Sequence, residues 1–238
     1  MTRGRAPCNL LMIEFSDFLT KLKSRLAPAA DFDARSEDET SMHDGVELAP
    51  RDDDADSECG ALRQAAVALV LRRRLSEAEL LIIKRSESER DHWSGHLALP
   101  GGRMEPEDAG LLATAVRETF EEVGLKLDEG GEVIGRLATV VPQSRLVPRI
   151  AVTPFVAVAP AEYHVFGEGE TPSVLTLSSE VAAAFWVPVS ELKSGGRSGT
   201  FRMVFAGVER EWPAYPSTHG PIWGLTERIL TEFLSLVG

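Results

Sequence analysis

The sequence has 238 residues, of which 43% are hydrophobic and 26% charged; these are the values of an ordinary globular protein, and no apolar run approaches the ~20 residues of a membrane span. Its net charge of −12 comes mostly from residues 31–58, which hold twelve acidic and two basic residues. The remaining body of the chain, residues 59–238, is mildly acidic and lacks the basic surface that nucleic-acid binding requires. The two cysteines, Cys8 and Cys59, lie outside the central part of the chain, so we expect no disulfide framework and a location in the reducing cytoplasm.

The first 60 residues divide into two regions. Residues 1–30 are predicted to form an amphipathic helix, because large apolar residues recur at helical spacing from Phe15 to Leu26. This helix either docks on the surface of the following domain or binds a partner or a membrane surface. Residues 31–60 are rich in Asp, Glu, Ser and Ala, and we predict a disordered acidic linker because such a segment has too little apolar surface to bury.

Residues 61–238 are predicted to form one α/β domain. Strands are expected at 65–71, 80–83, 97–99, 131–140, 150–158, 185–189 and 201–208, with helices at 108–123 and 223–236. The sequence Glu129-Gly130-Gly131 suggests a hairpin turn. Strands of mixed direction with a central and a terminal helix predict an α/β/α sandwich.

The central helix has two distinct sectors. A stripe facing the core is formed by Leu112, Val116, Thr119 and Val123. Glu118, Glu121 and Glu122 form a separate acidic sector, where like charges repel each other unless a cation offsets them. Mg²⁺ and Mn²⁺ prefer such carboxylate oxygens, and Arg117 can orient a carboxylate by a charge-assisted hydrogen bond. The preceding glycine pair, Gly101 and Gly102, lets backbone carbonyls come close to the helix.

The full pattern reads Gly102-x5-Asp108-x8-Arg117-Glu118-x2-Glu121-Glu122-x-Gly124-Leu125. It resembles the Nudix box, with Asp108 in place of a glutamate, a spacer that is one residue longer, and Thr119 in place of an aliphatic residue. The aspartate with its longer spacer, together with Lys84-Arg85-Ser86, resembles the coenzyme A pyrophosphohydrolase branch of that family.

This resemblance implies a Nudix-type sandwich with a mixed sheet and a diphosphatase that requires Mg²⁺ or Mn²⁺. Its implied substrate is a nucleotide derivative with a diphosphate linkage, in the first place coenzyme A or acyl-coenzyme A. Glu118 and Glu122 would be the principal metal ligands and the Gly102 carbonyl a further one. Glu121 would be either another ligand or the base that activates water, and Arg117 would belong to the catalytic set.

The substrate is anionic, so positive side chains near the box are candidates to hold its phosphates. These are Arg85, Arg90, Arg103 and Arg145, each of which has an ordinary surface charge as its alternative. A hydrolase of ADP-ribose or of another nucleoside diphosphate derivative remains an alternative, which Pro142 favours because proline in this loop is typical of the ADP-ribose branch. A Nudix-fold binding module without hydrolytic activity is a third reading. We expect a small-molecule partner, no nucleic acid and no membrane, and a homodimer is left open.

Overall fold

A computed structural model describes the backbone of residues 8–29, 62–88, 94–142, 149–205 and 208–237, with side chains from residue 15 onward except at 205 and 208. The predicted acidic linker lies outside these residues, as do Arg90 and Arg145. The division of the chain at residues 30 and 60 stays a prediction. No helix in the described ranges combines the length and apolar character needed to cross a membrane.

The described ranges contain four α-helices and ten strands, besides a short 3-10 helix at Ala161–Tyr163. In chain order they are α1 (Cys8–Lys23), β1 (Arg63–Arg74), β2 (Glu77–Arg85), β3 (Leu97–Ala98), β4 (Gly101–Arg103), α2 (Leu111–Val123), β5 (Glu132–Arg136), β6 (Ile150–Val158), β7 (Val181–Pro188), α3 (Val189–Gly195), β8 (Gly199–Phe205), β9 (Val208–Tyr215), β10 (Ile222–Trp223) and α4 (Gly224–Leu236).

The main sheet has seven strands and mixed direction. Its central path runs β3-β2-β1-β6-β5, with β4 also paired to β1 and β7 to β2. The pairing of β1 with β6 is parallel, whereas β1 with β2, β1 with β4 and β5 with β6 are antiparallel. A second sheet has the order β10-β9-β8. The chain therefore has the α/β fold with a mixed sheet that its sequence predicts.

Apolar cores lie on both faces of the main sheet, because its central strands bury side chains in both directions. Alternate residues of β2 illustrate this, since Leu80 and Ile82 belong to one core and Leu81 and Ile83 to the other. Helices α1 and α4 contribute to the core with Leu80, whereas α2 contributes to the core with Leu81. The catalytic helix proposed from the sequence therefore lies across the sheet from both terminal helices.

The N-terminal helix docks on the domain. Leu22 is fully buried in the core shared with α4, and the segment after α1 continues along the edge of β5. There, Ala27 and Arg136 exchange two backbone hydrogen bonds of 3.2 and 2.9 Å. Gly135 makes this approach possible, since a Cβ at that position would lie 2.6 Å from the Cβ of Leu26. Pairing at this edge also covers polar backbone groups that an open sheet edge would expose.

Three local predictions are wrong. The turn at 129–131 joins α2 to β5 and not two strands of a hairpin, because the element before it is a helix. Strand β5 also ends at Arg136 and not at Val140, which makes only an isolated bridge with Val152. Helix α2 begins at Leu111, three residues later than predicted, and ends as expected at Gly124 in the left-handed conformation with φ 69°.

Candidate active site

Two glycines bring the backbone of β4 close to both β1 and α2. Gly101 lies opposite Val67 in the β1–β4 ladder, with φ 150°, and a Cβ there would lie 2.6 Å from the Cα of Val67. A Cβ at Gly102 would overlap the Glu118 carboxylate, with Oε2 only 2.8 Å away. The absence of a Cβ at Gly101 therefore lets β4 lie close to β1, and its absence at Gly102 lets the Glu118 carboxylate lie directly against the loop backbone.

Arg117 connects that loop with the acidic sector of α2. Its Nη1 donates to Glu118 Oε1 at 3.1 Å and to Glu121 Oε2 at 2.9 Å. Its Nη2 donates to the carbonyl of Arg103 at 3.1 Å and to Asp108 Oδ2 at 2.9 Å, and its Nε donates to Asp108 Oδ1 at 2.9 Å. One guanidinium thus holds three carboxylates and one carbonyl in a single arrangement.

Asp108 accepts four hydrogen bonds although it lies before the first residue of α2. Besides the two from Arg117, it accepts the Glu105 N–H at 2.9 Å and the Thr114 hydroxyl at 2.8 Å. The Arg117 guanidinium is the main reason that the pKa of Asp108 lies far below its usual value, and the same pair raises the pKa of Arg117. The loop between β4 and α2 is therefore anchored through an ionised aspartate.

Glu122 is buried, contrary to the separate acidic sector predicted from the helical wheel. It is 5% exposed, and Oε2 accepts the Gly101 N–H at 2.9 Å. The reason is that a segment before β7 covers this end of α2, with the Ser178 N–H donating to the Glu122 carbonyl at 3.0 Å. The buried face of α2 consists of Leu111, Thr114, Ala115, Thr119, Glu122 and Val123, whereas the predicted core residues Leu112 and Val116 are half-buried.

The environments of the three glutamates differ. Burial raises the pKa of Glu122 to about 7, with further increases from the charges of Glu118 and Glu180 and decreases from the Gly101 N–H and Arg85. Burial also raises the pKa of Glu118, against the opposing effect of Arg117. The Glu121 side chain is 55% exposed. The site thus combines one buried, one half-buried and one exposed carboxylate.

The donor chemistry of this region fits a hard divalent cation. Carboxylate oxygens are the ligands that Mg²⁺ and Mn²⁺ prefer, and a nearby cation stabilises the charged form of a buried carboxylate such as that of Glu122. Over the residues that the structure describes, no three His, Cys, Asp or Glu side chains already converge as a finished metal site. Arg117 instead holds Glu118 and Glu121, so binding of a cation would require these two carboxylates to turn partly away from the guanidinium.

Two of the four predicted phosphate-binding arginines lie in the described residues, Arg85 near Glu122 and Arg103 in the glycine loop. Arg85 ends β2, and its charge lowers the pKa of Glu122, which places its guanidinium near that carboxylate. Arg103 is exposed and directly follows Gly102, with its carbonyl bonded to Arg117. Arg90 and Arg145 lie outside the described residues.

Glu180 is a further acid of this region that the sequence analysis missed. Its charge raises the pKa of Glu122, and its carbonyl accepts the Ser86 N–H at 2.8 Å directly after β2. In the sequence, Glu180 is distinguished only as an acidic residue just before a predicted strand, which does not indicate a role in the site. The position lies beside α2 because β7 pairs with β2 and the segment before β7 is hydrogen-bonded to the end of α2.

Comparison with known proteins places these features in a family context. The model of the NUDIX domain family matches residues 62–205. The chain is 35% identical over 177 residues to the uncharacterized Nudix hydrolase NudL of Enterobacter sp. (strain 638), covering 74% of this chain and 83% of the relative. It is 34% identical over 177 residues to NudL of Citrobacter koseri, with the same two coverages.

Solved structures of lower similarity were also found. A MutT/nudix family protein from Enterococcus faecalis aligns with a TM-score of 0.45 and 18% identity, over 77% of this chain and 65% of that protein. A NUDIX hydrolase from Alicyclobacillus acidocaldarius aligns with a TM-score of 0.44 and 21% identity, over 58% and 84%.

Proposed function

Because the chain belongs to the Nudix family of hydrolases, we propose that it cleaves the diphosphate linkage of coenzyme A or acyl-coenzyme A. The coarser activity, hydrolysis of a nucleotide diphosphate derivative, agrees with its family. Support for the narrower substrate comes from Asp108, the longer spacer before Arg117 and the sequence Lys84-Arg85-Ser86, which resemble the coenzyme A branch.

The observation that supports a hydrolytic site most directly is the hydrogen-bond set of Arg117. It holds Glu118 and Glu121, and Glu118 and Glu122 both lie against the Gly101-Gly102 backbone. We assign Glu118 and Glu122 as the principal metal ligands and the Gly102 carbonyl as a further one. Glu121, the most exposed of the three, is a further ligand or the base that takes a proton from the attacking water.

Nudix hydrolases use divalent metal ions, and we assign Mg²⁺ or Mn²⁺ here. When bound, such an ion neutralises diphosphate charge and lowers the pKa of an attacking water. Arg117 keeps the carboxylates oriented before the substrate arrives. Arg85 and Arg103 lie on either side of the glycine pair in the sequence, and we assign them to the phosphates that the metal does not neutralise. Arg90 and Arg145 remain predictions from the sequence.

ADP-ribose or another nucleoside diphosphate derivative is the second candidate substrate. Pro142, which follows the bridge residue Val140, is the observation that favours it. A binding module without activity is the third candidate, and the complete set of Glu118, Glu121 and Glu122 argues against it.

A hydrolysis screen distinguishes these candidates. The full chain is assayed with Mg²⁺ or Mn²⁺ against coenzyme A, acetyl-coenzyme A, ADP-ribose, NADH and a diadenosine polyphosphate. We expect kcat/KM for coenzyme A or its acetyl ester to exceed that of the others at least tenfold, a difference of ~1.4 kcal/mol in transition-state stabilisation. Preference for ADP-ribose would reject the branch and keep the glutamate site. Absence of turnover on every substrate, with Mn²⁺ bound, would reject the proposed activity on this panel.

A further inference from the structure

A surface cavity of about 480 Å³, broadly open to solvent, lies where the segment after α1 meets the end of β5 and helix α4. Its lining includes Arg25, Arg136, Leu137, Thr139, Glu232 and Leu236. This volume falls within the range of ~300–1,000 Å³ that is usual for small-molecule sites. Three separate parts of the chain build the cavity, so it forms only in the folded protein.

The cavity is separate from the glutamate site. Its lining residues Leu137 and Leu236 pack into the core that contains Leu22 and Phe233, on the face of the sheet covered by α1 and α4. Helix α2 packs into the core on the other face. A ligand in the cavity therefore has the thickness of the sheet between itself and the glutamates.

The charges that line the cavity favour an anion. Arg25 and Arg136 reach it from neighbouring backbone segments, which the Ala27–Arg136 hydrogen bonds hold together. Glu232 supplies the one acidic side chain of this lining, and its Oε1 already accepts the Ala138 N–H at 3.0 Å. Arg136 is half-buried, so solvent screens its charge less than that of a fully exposed arginine.

The remaining lining indicates the shape of the ligand. Leu137 and Leu236 supply apolar wall, whereas the Thr139 hydroxyl is bonded to the Thr153 hydroxyl at 2.9 Å. Arg25 donates from Nη1 to the carbonyl of Leu236 at 2.6 Å, which holds it at the rim beside the end of α4. The site thus offers a cationic end and an apolar wall.

We propose that this cavity is a second binding site, for a small organic anion with a single carboxylate or phosphate group. The anionic group lies at Arg136 and Arg25, and the apolar body of the ligand lies against Leu137 and Leu236. The site is independent of diphosphate hydrolysis, and its ligand also holds the segment after α1 to the domain, because Arg25 belongs to that segment.

The test is a titration of the full chain followed by ¹H–¹⁵N NMR, with EDTA present to keep divalent cations from the glutamate site. The probes are hexanoate and butyl phosphate, with 1-hexanol as the uncharged control. We expect saturable shifts of the amides of Leu137, Ala138, Thr139 and Leu236 with at least one anion. Saturation with butyl phosphate alone would identify a phosphate site, and with hexanoate alone a carboxylate site.

Variants locate the anionic contact. Arg136→Gln is expected to weaken binding of the anion at least tenfold, and Arg25→Gln at least threefold. Arg202→Gln is the matched control, since Arg202 is exposed on β8 and pairs with Glu211. The proposal is overturned if neither anion gives saturable shifts, if 1-hexanol binds as tightly as the anions, or if both arginine variants keep the affinity of the unaltered chain. If Arg136→Gln fails to fold, the anion affinity of Arg25→Gln alone tests the proposal.

Discussion

Arg117 and Asp108 form a two-pronged ion pair, with Nε and Nη2 of the arginine each 2.9 Å from a different carboxylate oxygen. The aspartate lies outside α2 and the arginine within it, so this pair joins the glycine loop to the helix. It leaves Nη1 free to hold Glu118 and Glu121. This chain differs from the Nudix pattern in having an aspartate in place of a glutamate and a spacer that is one residue longer. The Asp108 carboxylate nevertheless lies within hydrogen-bonding distance of Arg117.

Asp108→Asn should impair both activity and stability. The substitution removes the charge that Arg117 pairs with, while the Arg117 side chain is only 23% exposed. We expect kcat to fall by ~10- to 100-fold, as for other residues that orient metal ligands, and the free energy of unfolding to fall by ~1–3 kcal/mol. Steady-state kinetics and urea denaturation measure the two effects. Asp128→Asn, at an exposed position after α2, is the control, and equal behaviour of both variants would contradict the anchoring role.

Acid should weaken the same anchor. The pKa of Asp108 is lower in the folded chain than in the unfolded chain, so its ionisation contributes stability above the unfolded value near 4. That contribution to stability is lost as the pH falls toward the lower pKa that Asp108 has in the folded chain. Urea denaturation from pH 6 to pH 3 should therefore show a smaller loss of stability in Asp108→Asn than in the unaltered chain. If the free energy of unfolding fell equally with pH in the two proteins, Asp108 would not be the source of the acid sensitivity.

Glu118→Gln and Glu122→Gln should each lower kcat by at least ~10³, equivalent to ~4 kcal/mol of barrier. The reason is that glutamine keeps the shape of the side chain but supplies no charge to a divalent cation. Kinetics with Mg²⁺ and Mn²⁺ test this, with Glu129→Gln as the control because Glu129 is exposed and pairs only with Lys126 in the described contacts. A double variant that retained more than a tenth of the activity would refute the assignment.

Without metal, Glu122 should make folding less favourable as the pH rises. Its folded pKa of about 7 exceeds the ordinary value of 4.5, so the folded chain binds more protons and stability falls between those two pH values. The loss is on the order of 3 kcal/mol. In EDTA, Glu122→Gln should thus become more stable relative to the unaltered chain from pH 4.5 to pH 7. A pH-independent difference in urea midpoints between the two proteins would contradict this.

Gly102→Ala should remove activity with little change in stability. The new Cβ would overlap the Glu118 carboxylate, which is the end of a flexible side chain and can move away at small cost. Because the displaced carboxylate is an assigned metal ligand, we expect kcat to fall by ~10²-fold or more. Gly167→Ala is the control, since the nearest neighbour of its new Cβ would be the Glu170 carboxylate at 3.1 Å, far along the chain from the site. Full activity of Gly102→Ala would show that Glu118 does not require this approach.

Leu22→Ala should destabilise the domain and leave catalysis intact. Leu22 is fully buried among residues of the core beneath α1 and α4, so truncation leaves a cavity that costs ~2–5 kcal/mol. The glutamates lie on the other face of the sheet, and kcat should stay within a factor of two below the melting transition. Thermal denaturation and kinetics give the two readouts, with Thr20→Ala on the exposed side of α1 as the control. An unchanged melting temperature would mean that the burial of Leu22 does not stabilise the packing of α1 on the domain.

The sequence by itself determined the elements and the grouping of residues within them. The 3.6-residue period and Gly124 located α2, and the four-residue spacing of Arg117 and Glu121 placed their side chains within hydrogen-bonding distance of each other. These relationships are local, because a helix brings residues three or four positions apart together wherever it packs. Most strands of the main sheet were likewise predicted from their continuous apolar runs.

Only the tertiary structure decided burial and the contacts between distant segments. Glu122 belongs by periodicity to the acidic sector, yet the segment before β7 covers it, and that segment reaches α2 only because β7 pairs with β2. The approach of Arg85 and Glu180 to Glu122 and the meeting of Arg25 with Arg136 arise in the same way. A residue's periodicity describes its own element, whereas its exposure and pKa depend on which distant parts of the chain pack against that element.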